Sequence, residues 1–164
     1  MSQPYAAAPA VKVNVERRTG ITVFQVTKSR MEWTAQNRIR VLDFTPSGEQ
    51  VAFDAAANEI TKARLWPGFG PTNGGELSFT TAAGKVKVDP GTMILSPEPG
   101  ETAEQYDQRL STTPIPPPRW WIEQLRAYGV DAKAYSFMKV FGLTFLITVA
   151  VLVVIIVIAA LAFS

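Results

Sequence analysis

Neither cysteine nor histidine occurs in the 164 residues. Their absence removes the common zinc ligand sets, the Ser-His-Asp and Cys-His nucleophile systems and thiol redox chemistry. No disulfide can staple the fold, which fits a reducing compartment. A dominant charge sign is also missing: 16 Lys and Arg stand against 14 Asp and Glu, for a net charge of +2. The two signs alternate along the chain, so nucleic acid is not an expected partner. The opening MSQPYAAAPA has no basic or apolar region of the kind a secretory signal needs. Asn14, Asn37, Asn58 and Asn73 each lack Ser or Thr two residues on, so no glycosylation acceptor contradicts a cytosolic domain.

What the chain does have is one long apolar run. Residues 140–163, VFGLTFLITVAVLVVIIVIAALAF, carry no charge and only two threonines and one glycine among 24 residues. As a helix they would span about 36 Å, more than the roughly 30 Å hydrocarbon core of a bilayer. A transmembrane helix is expected there, preceded by a juxtamembrane segment at 131–139 that continues as helix into the membrane. All 16 basic residues precede the run, Lys133 and Lys139 close to its start. The positive-inside rule then places the rest of the chain in the cytoplasm. The expectation is a tail-anchored, single-pass cell-membrane protein, with the lipid bilayer as its first partner.

Residues 1–10 are small, polar or proline and read as a flexible leader. Residues 11–130 have the size of one domain with a single core. Val11, Val13 and Val15 alternate with Lys12, Asn14 and Glu16, the period of a half-buried strand. Further strands are expected at 21–27, 31–35, 39–44, 49–53, 60–66, 76–81, 84–89 and 93–95, with turns at Pro46-Ser47-Gly48, 54–59 and Ala82-Ala83-Gly84. Thr102 and Gln105 have capping-box spacing for a short helix. Prolines 114 and 116–118 impose an extended connection. A helix after Pro118 places Trp121, Leu125 and Tyr128 on one face and ends at Gly129, with Val130 supplying the hydrophobic contact of a glycine cap. The expected class is mainly β: a small antiparallel barrel or sandwich closed by a C-terminal amphipathic helix, plus one transmembrane helix.

The segments ITVFQVTKSRMEW, VAFDAAANEITKARLW and ELSFTTAAGKVKV, followed by the helix WWIEQLRAYGV, resemble the pleckstrin-homology-like superfold, including its GRAM-type and bacterial members. The resemblance covers most of residues 11–130. It implies a PH-like β-domain in which the acidic, proline-rich stretch 97–118 is an insertion before the final helix, and it licenses no activity by itself.

Lys12, Arg17 and Arg18 are the candidates for a lipid headgroup, as the nearest counterpart of the basic loop between the first two strands that phosphoinositide-binding members of that class use. The same residues also read as a solvated strand end. Gly68 and Gly70 are followed by Pro71 with no Lys-Ser or Lys-Thr, so 67–75 is a loop and not a phosphate cradle. Glu98, Glu101, Glu104 and Asp107 have the spacing of an exposed helix face rather than a calcium loop. The proline run at 113–118 is either a stiff spacer or a ligand for a polyproline-reading partner. Trp120 and Trp121 point in different directions on a helix, one into the core and the other toward a partner or the bilayer interface. Gly142, Thr144 and Thr148 are candidates for contact with another membrane helix. No catalytic, cofactor or metal residue is assigned. The expected function is a non-enzymatic membrane adaptor or accessory subunit of a membrane protein complex, with an anionic-lipid-sensing module as the alternative and an enzyme using Asp, Glu, Lys or Ser as the third.

Overall fold

The computed structural model describes residues 10–20, 25–68 and 75–162. The leader before Ala10, the first half of the strand expected at 21–27, the centre of the glycine loop and Phe163 lie outside the described residues. The chain forms two compact units, Met1–Ala134 and Tyr135–Ser164.

The first unit is mainly β. Its strands are β1 (Val11–Arg18), β2 (Val26–Trp33), β3 (Arg38–Thr45), β4 (Gly48–Ala56), β5 (Lys62–Trp66), β6 (Glu76–Thr80), β7 (Lys85–Leu95) and β8 (Asp131–Ala134), with helices α1 (Ala103–Thr112) and α2 (Pro118–Ala127) before the last strand. One sheet holds all eight, in the order β4-β3-β2-β1-β7-β6-β5-β8. Every pairing is antiparallel except β5 with β8, which is parallel. The expected all-antiparallel pairing is corrected, since the sheet is mixed, and the sheet is not closed into a barrel: β4 and β8 are its free edges.

Period-two patterning decides which side each residue takes. Val13 and Val15 of β1 lie opposite Met31 and Ser29 of β2, and Met31 and Ser29 lie opposite Val41 and Asp43 of β3. All six are buried. The charged residues between them, such as Lys28 and Arg30, occupy the other face, so 26–33 is one strand and not the ends of two. Likewise β4 runs on to Ala56, because Ala55 pairs with Ile39 and is buried; the expected turn shrinks to a single 3-10 turn at Ala57–Glu59. The inner faces of the two halves of the sheet meet across the core, where the rings of Phe53 and Phe79 lie 6.3 Å apart.

Helix α2 covers this inner face with Trp121, Ile122 and Leu125, each fully buried. It stops at Gly129, whose φ of +78° is one that side-chain-bearing residues rarely adopt; the Gly129 and Val130 amides donate to the Arg126 and Leu125 carbonyls, and Val130 is buried. Beyond it the chain does not continue as helix. Residues 131–134 form β8, with Ala132 and Ala134 opposite Ala63 and Leu65 of β5. The physical reason is the free edge of β5, which offers unpaired backbone groups, reinforced by Arg64 bonding the carbonyl and carboxylate of Asp131 and Arg126 Nε donating to the Ala132 carbonyl at 2.7 Å.

The strands expected at 84–89 and 93–95 are one strand with a bulge. Proline 90 has no N–H for the ladder, and the β1–β7 register shifts between Asn14 and Glu16. Side chains replace the lost backbone bonds there. The Glu16 amide donates to Thr92 Oγ1 at 2.9 Å, Thr92 Oγ1 donates to the Asp89 carbonyl at 2.9 Å, and the Gly91 amide donates to Asp89 Oδ1 at 2.9 Å.

The second unit contains α3, Phe137–Ala162. Its stretch Phe141–Ile158 is long and apolar enough to cross a membrane, and it is the single such helix among the described residues. Phe137, Phe141 and Phe145 stack along one side at centroid separations of 5.8 and 6.4 Å.

Replacing Thr92 by Val keeps the volume and removes the acceptor for the Glu16 amide. A loss of about 1–2 kcal/mol is expected, read as a lower denaturation midpoint of the full chain in detergent micelles, with Thr92→Ser retaining most of the wild-type stability.

Candidate functional site

The alternation of β1 decides the fate of its three basic residues. Lys12 and Arg18 belong to the outward face with Asn14 and Glu16, whereas Arg17 follows Val13 and Val15 onto the inner face. Lys12 and Arg18 are six residues apart along one strand, about 20 Å. The structure therefore does not gather them around one headgroup.

Two of the three are engaged in ion pairs. Arg17 meets Asp43 in a forked geometry, Nε to Oδ1 at 2.8 Å and Nη2 to Oδ2 at 2.5 Å, and Ser29 Oγ donates to the same Oδ1 at 2.7 Å. The hydrogen bond from Arg17 holds the Asp43 carboxyl below its ordinary value; burial opposes the shift, and Ser29 adds to it. Arg18 Nη2 donates to the Gly75 carbonyl at 2.6 Å and to Asp89 Oδ2 at 3.1 Å. Lys12 is exposed and has no ion pair among the described residues.

Lys12 instead lines a cleft of about 1010 Å³ between the start of β1, the end of β7 and the chain that joins α1 to α2. Val11, Leu95, Ile115 and Trp120 give it apolar walls, and Pro97, Pro99, Pro114, Pro116 and Pro117 line it without offering any N–H. Its two arginines are held in place. Arg30 is bound to Glu32 at 2.7 Å and to Glu49 at 2.7 and 2.8 Å. Arg109 is bound to both carboxylate oxygens of Glu101 at 2.7 Å and to the Ser96 carbonyl at 2.8 Å. Hydrogen bonds from Arg109, then from the Glu98 amide, bring Glu101 down to about 2.

Helix α1 is thereby fixed against the end of β7. Tyr106 adds a hydrogen bond from its hydroxyl to the Leu95 carbonyl at 2.7 Å, and the expected capping box is present, Thr102 and Gln105 exchanging bonds at 3.3 and 2.9 Å. Glu101 precedes the helix and serves as its clamp, a role the spacing of the acidic residues did not disclose.

Behind the cleft lies an aromatic cluster. Trp33 is fully buried, as is Trp121, and the Trp33 ring lies 5.8 Å from Trp120, 6.3 Å from Trp121 and 5.9 Å from Tyr128. Trp120 is half-buried and forms part of the cleft wall. The adjacent tryptophans thus divide as their helical positions require, Trp121 inward and Trp120 at the margin. Trp33 was not singled out in the sequence; its position two residues after Met31 in a period-two pattern is the signal that marks it.

In α3, Thr144 and Thr148 share a face, and Thr148 Oγ1 donates to the Thr144 carbonyl at 2.9 Å. Gly142 precedes Thr144 by two positions, about 160° around the helix, so it lies on a different face from the pair.

This arrangement suits binding: a cleft with apolar walls, bordered by the paired Arg30 and Arg109 and by Lys12. Because Asp43 is more acidic folded than unfolded, its stabilisation is complete above the unfolded value of about 3.9 and is lost as pH falls through the lower folded value. Replacing Asp43 by Asn is expected to cost about 1.5–3 kcal/mol at neutral pH, with stability that varies less than wild type between pH 5 and 2 (about the range in which a paired aspartate titrates), as followed by denaturant titrations at each pH. No protein-family model matches the chain, and no curated protein matches it in sequence.

Proposed function

We propose that this chain is a non-enzymatic, membrane-anchored adaptor or accessory subunit of a membrane protein complex, in which a small β-domain on the cytoplasmic side binds a protein partner. The observation that carries the reading is α3. Its stretch Phe141–Ile158 has no residue buried within the structure, while the first unit has a hydrophobic core of its own. An apolar surface of that length is stable in a bilayer and not in water. Lys133 and Lys139 before it support the cytoplasmic side for the domain. Tethering raises the effective concentration of weak contacts with whatever lies at the same membrane, and the cleft beside Trp120 is the surface proposed for such a contact.

The pleckstrin-homology-like reading of the domain belongs to the same proposal. It is supported by a run of seven strands followed by α2, which sets a tryptophan into the core. The segment containing α1 and the added strand β8 are departures from that pattern.

The test joins membrane extraction to copurification. The wild-type chain should resist alkaline extraction from membranes and retain a partner protein in mild detergent, identified by mass spectrometry. The double variant Val151→Arg/Ile155→Arg puts two charges on one face near the middle of the span, each costing about 2.5–3.5 kcal/mol there, and should move to the soluble fraction. Extraction of the wild type by alkali would remove the anchor from the reading; a wild type that stays in the membrane and retains no partner would remove the adaptor.

A further inference from the structure

The segment 113–118 is half-embedded in a regular way. Pro114 and Pro117 are exposed, whereas Ile115, Pro116 and Pro118 are half-buried, and Ile115 packs against the core. A polyproline II helix has three residues per turn, so 114 and 117 form one ridge while 115 and 118 form another. Pro117, with φ −61° and ψ 153°, lies close to polyproline II dihedrals. The domain therefore holds one ridge of the run and presents the other.

Both ends of the run are fixed. The Thr113 amide bonds the Arg109 carbonyl at 2.8 Å, on a helix clamped by Glu101, and Pro118 opens α2. Binding to this run would not have to order a free chain, the usual cost of recognising a peptide. A partner strand cannot add to it, because a proline-rich run lacks the N–H groups of a ladder. The carbonyls of Pro114, Ile115 and Pro116 accept no hydrogen bond among the described residues, so they remain available to donors on a partner. Arg119, exposed on the first turn of α2, has no ion pair among the described residues and adds a positive charge two positions beyond Pro117.

We propose that residues 114–119, Pro-Ile-Pro-Pro-Pro-Arg, are the docking motif for a partner domain that reads polyproline II: an aromatic-lined groove for the ridge of Pro114 and Pro117, with a carboxylate for Arg119. The proposal rests on the adaptor reading and names the class of partner it requires. Stacking of tryptophan or tyrosine rings on the proline ridge, and donation from their polar atoms to the open carbonyls, is the recognition chemistry of such grooves.

The full chain in detergent micelles is titrated with purified SH3, WW and EVH1 domains, chosen with and without an acidic residue beside the aromatic groove, and binding is followed by calorimetry. Saturable one-to-one binding is expected for a domain that carries the acidic residue. It should weaken about tenfold or more in Pro114→Ala/Pro117→Ala, and more at high salt than at low salt. Arg119→Glu should also weaken it while leaving the unfolding midpoint unchanged, since Arg119 is on the surface. Binding that these variants leave intact, or no binding to any domain, overturns the proposal. The latter result together with a partner retained in the copurification would sink the motif and leave the adaptor standing; loss of that partner from wild-type membranes would sink the adaptor itself.

Discussion

The pairing of β1 with β7 is the constraint on which the domain depends. Without it the chain would hold two separate antiparallel pieces, β4-β3-β2-β1 and β7-β6-β5, each with an uncovered apolar face. The pairing joins Val13 to Leu95 and Arg17 to Val88, so a long loop must close before any of its contacts can form. It also has to accommodate Pro90, which cannot donate to a ladder. The bulge answers the second demand. Thr92 and Asp89 satisfy the amides that the irregularity strands, and the added local twist of a bulge bends the sheet so that its two halves face each other. The contact of Phe53 with Phe79 follows from that bend.

Once bent, the sheet still has an open side, and α2 with β8 covers part of it. Three features cooperate. The helix supplies Trp121, Ile122 and Leu125 to the core, Gly129 turns the chain back, and β8 uses the edge of β5 that the turn brings within reach. The last residue of β8, Ala134, is separated from α3 by Tyr135 and Ser136 alone. Residues 131–134, expected as helix, thus belong to the sheet of the first unit. The hydrogen bond from Arg64 lowers the Asp131 carboxyl below its ordinary value, a sign that the strand is held by charge as well as by its backbone ladder.

Local signals in the sequence were legible where the physics is local. The capping box at Thr102 and Gln105, the glycine stop at Gly129 and the alternation of Val13 and Val15 each require only neighbours within a few residues. The span-like helix was legible for the same reason. What could not be read depends on partners far along the chain. Residues 131–134, rich in alanine, have helical propensity and become a strand because β5 offers an edge. Residues 28–30 look like a break because Lys28, Ser29 and Arg30 are polar, yet Ser29 is buried and bonds Asp43, while the half-buried Arg30 bridges two glutamates on the outer face. Arg17 and Arg18 are adjacent in sequence, and the strand sends them to opposite faces, a placement that no spacing in the sequence displays. The cleft joins β1 to the end of β7 and to the α1–α2 connection, about eighty and one hundred residues further along the chain, beyond any pattern read from periodicity.

Charge pairing also bears on what kind of partner the domain can recognise. On the outer face Lys12 lies opposite Glu32, and Glu16 opposite Lys28, in the β1–β2 register; Arg30 is bound by Glu32 and Glu49, and Asp54 lies beside both Arg38 and Arg40. Lys85 and Lys87 share Glu76. Charges neutralised in pairs contribute little long-range field, and salt screens what remains beyond about 8–10 Å. Long-range steering by a polyanion or a strongly acidic membrane gains little from the charges paired in this way. On the proposed reading, recognition rests on short-range fit: the apolar cleft, the margin of the tryptophan cluster at Trp120 and the proline ridge beside it. Such contacts are weak singly, which is the circumstance in which confinement to a membrane surface would matter most on the proposed reading.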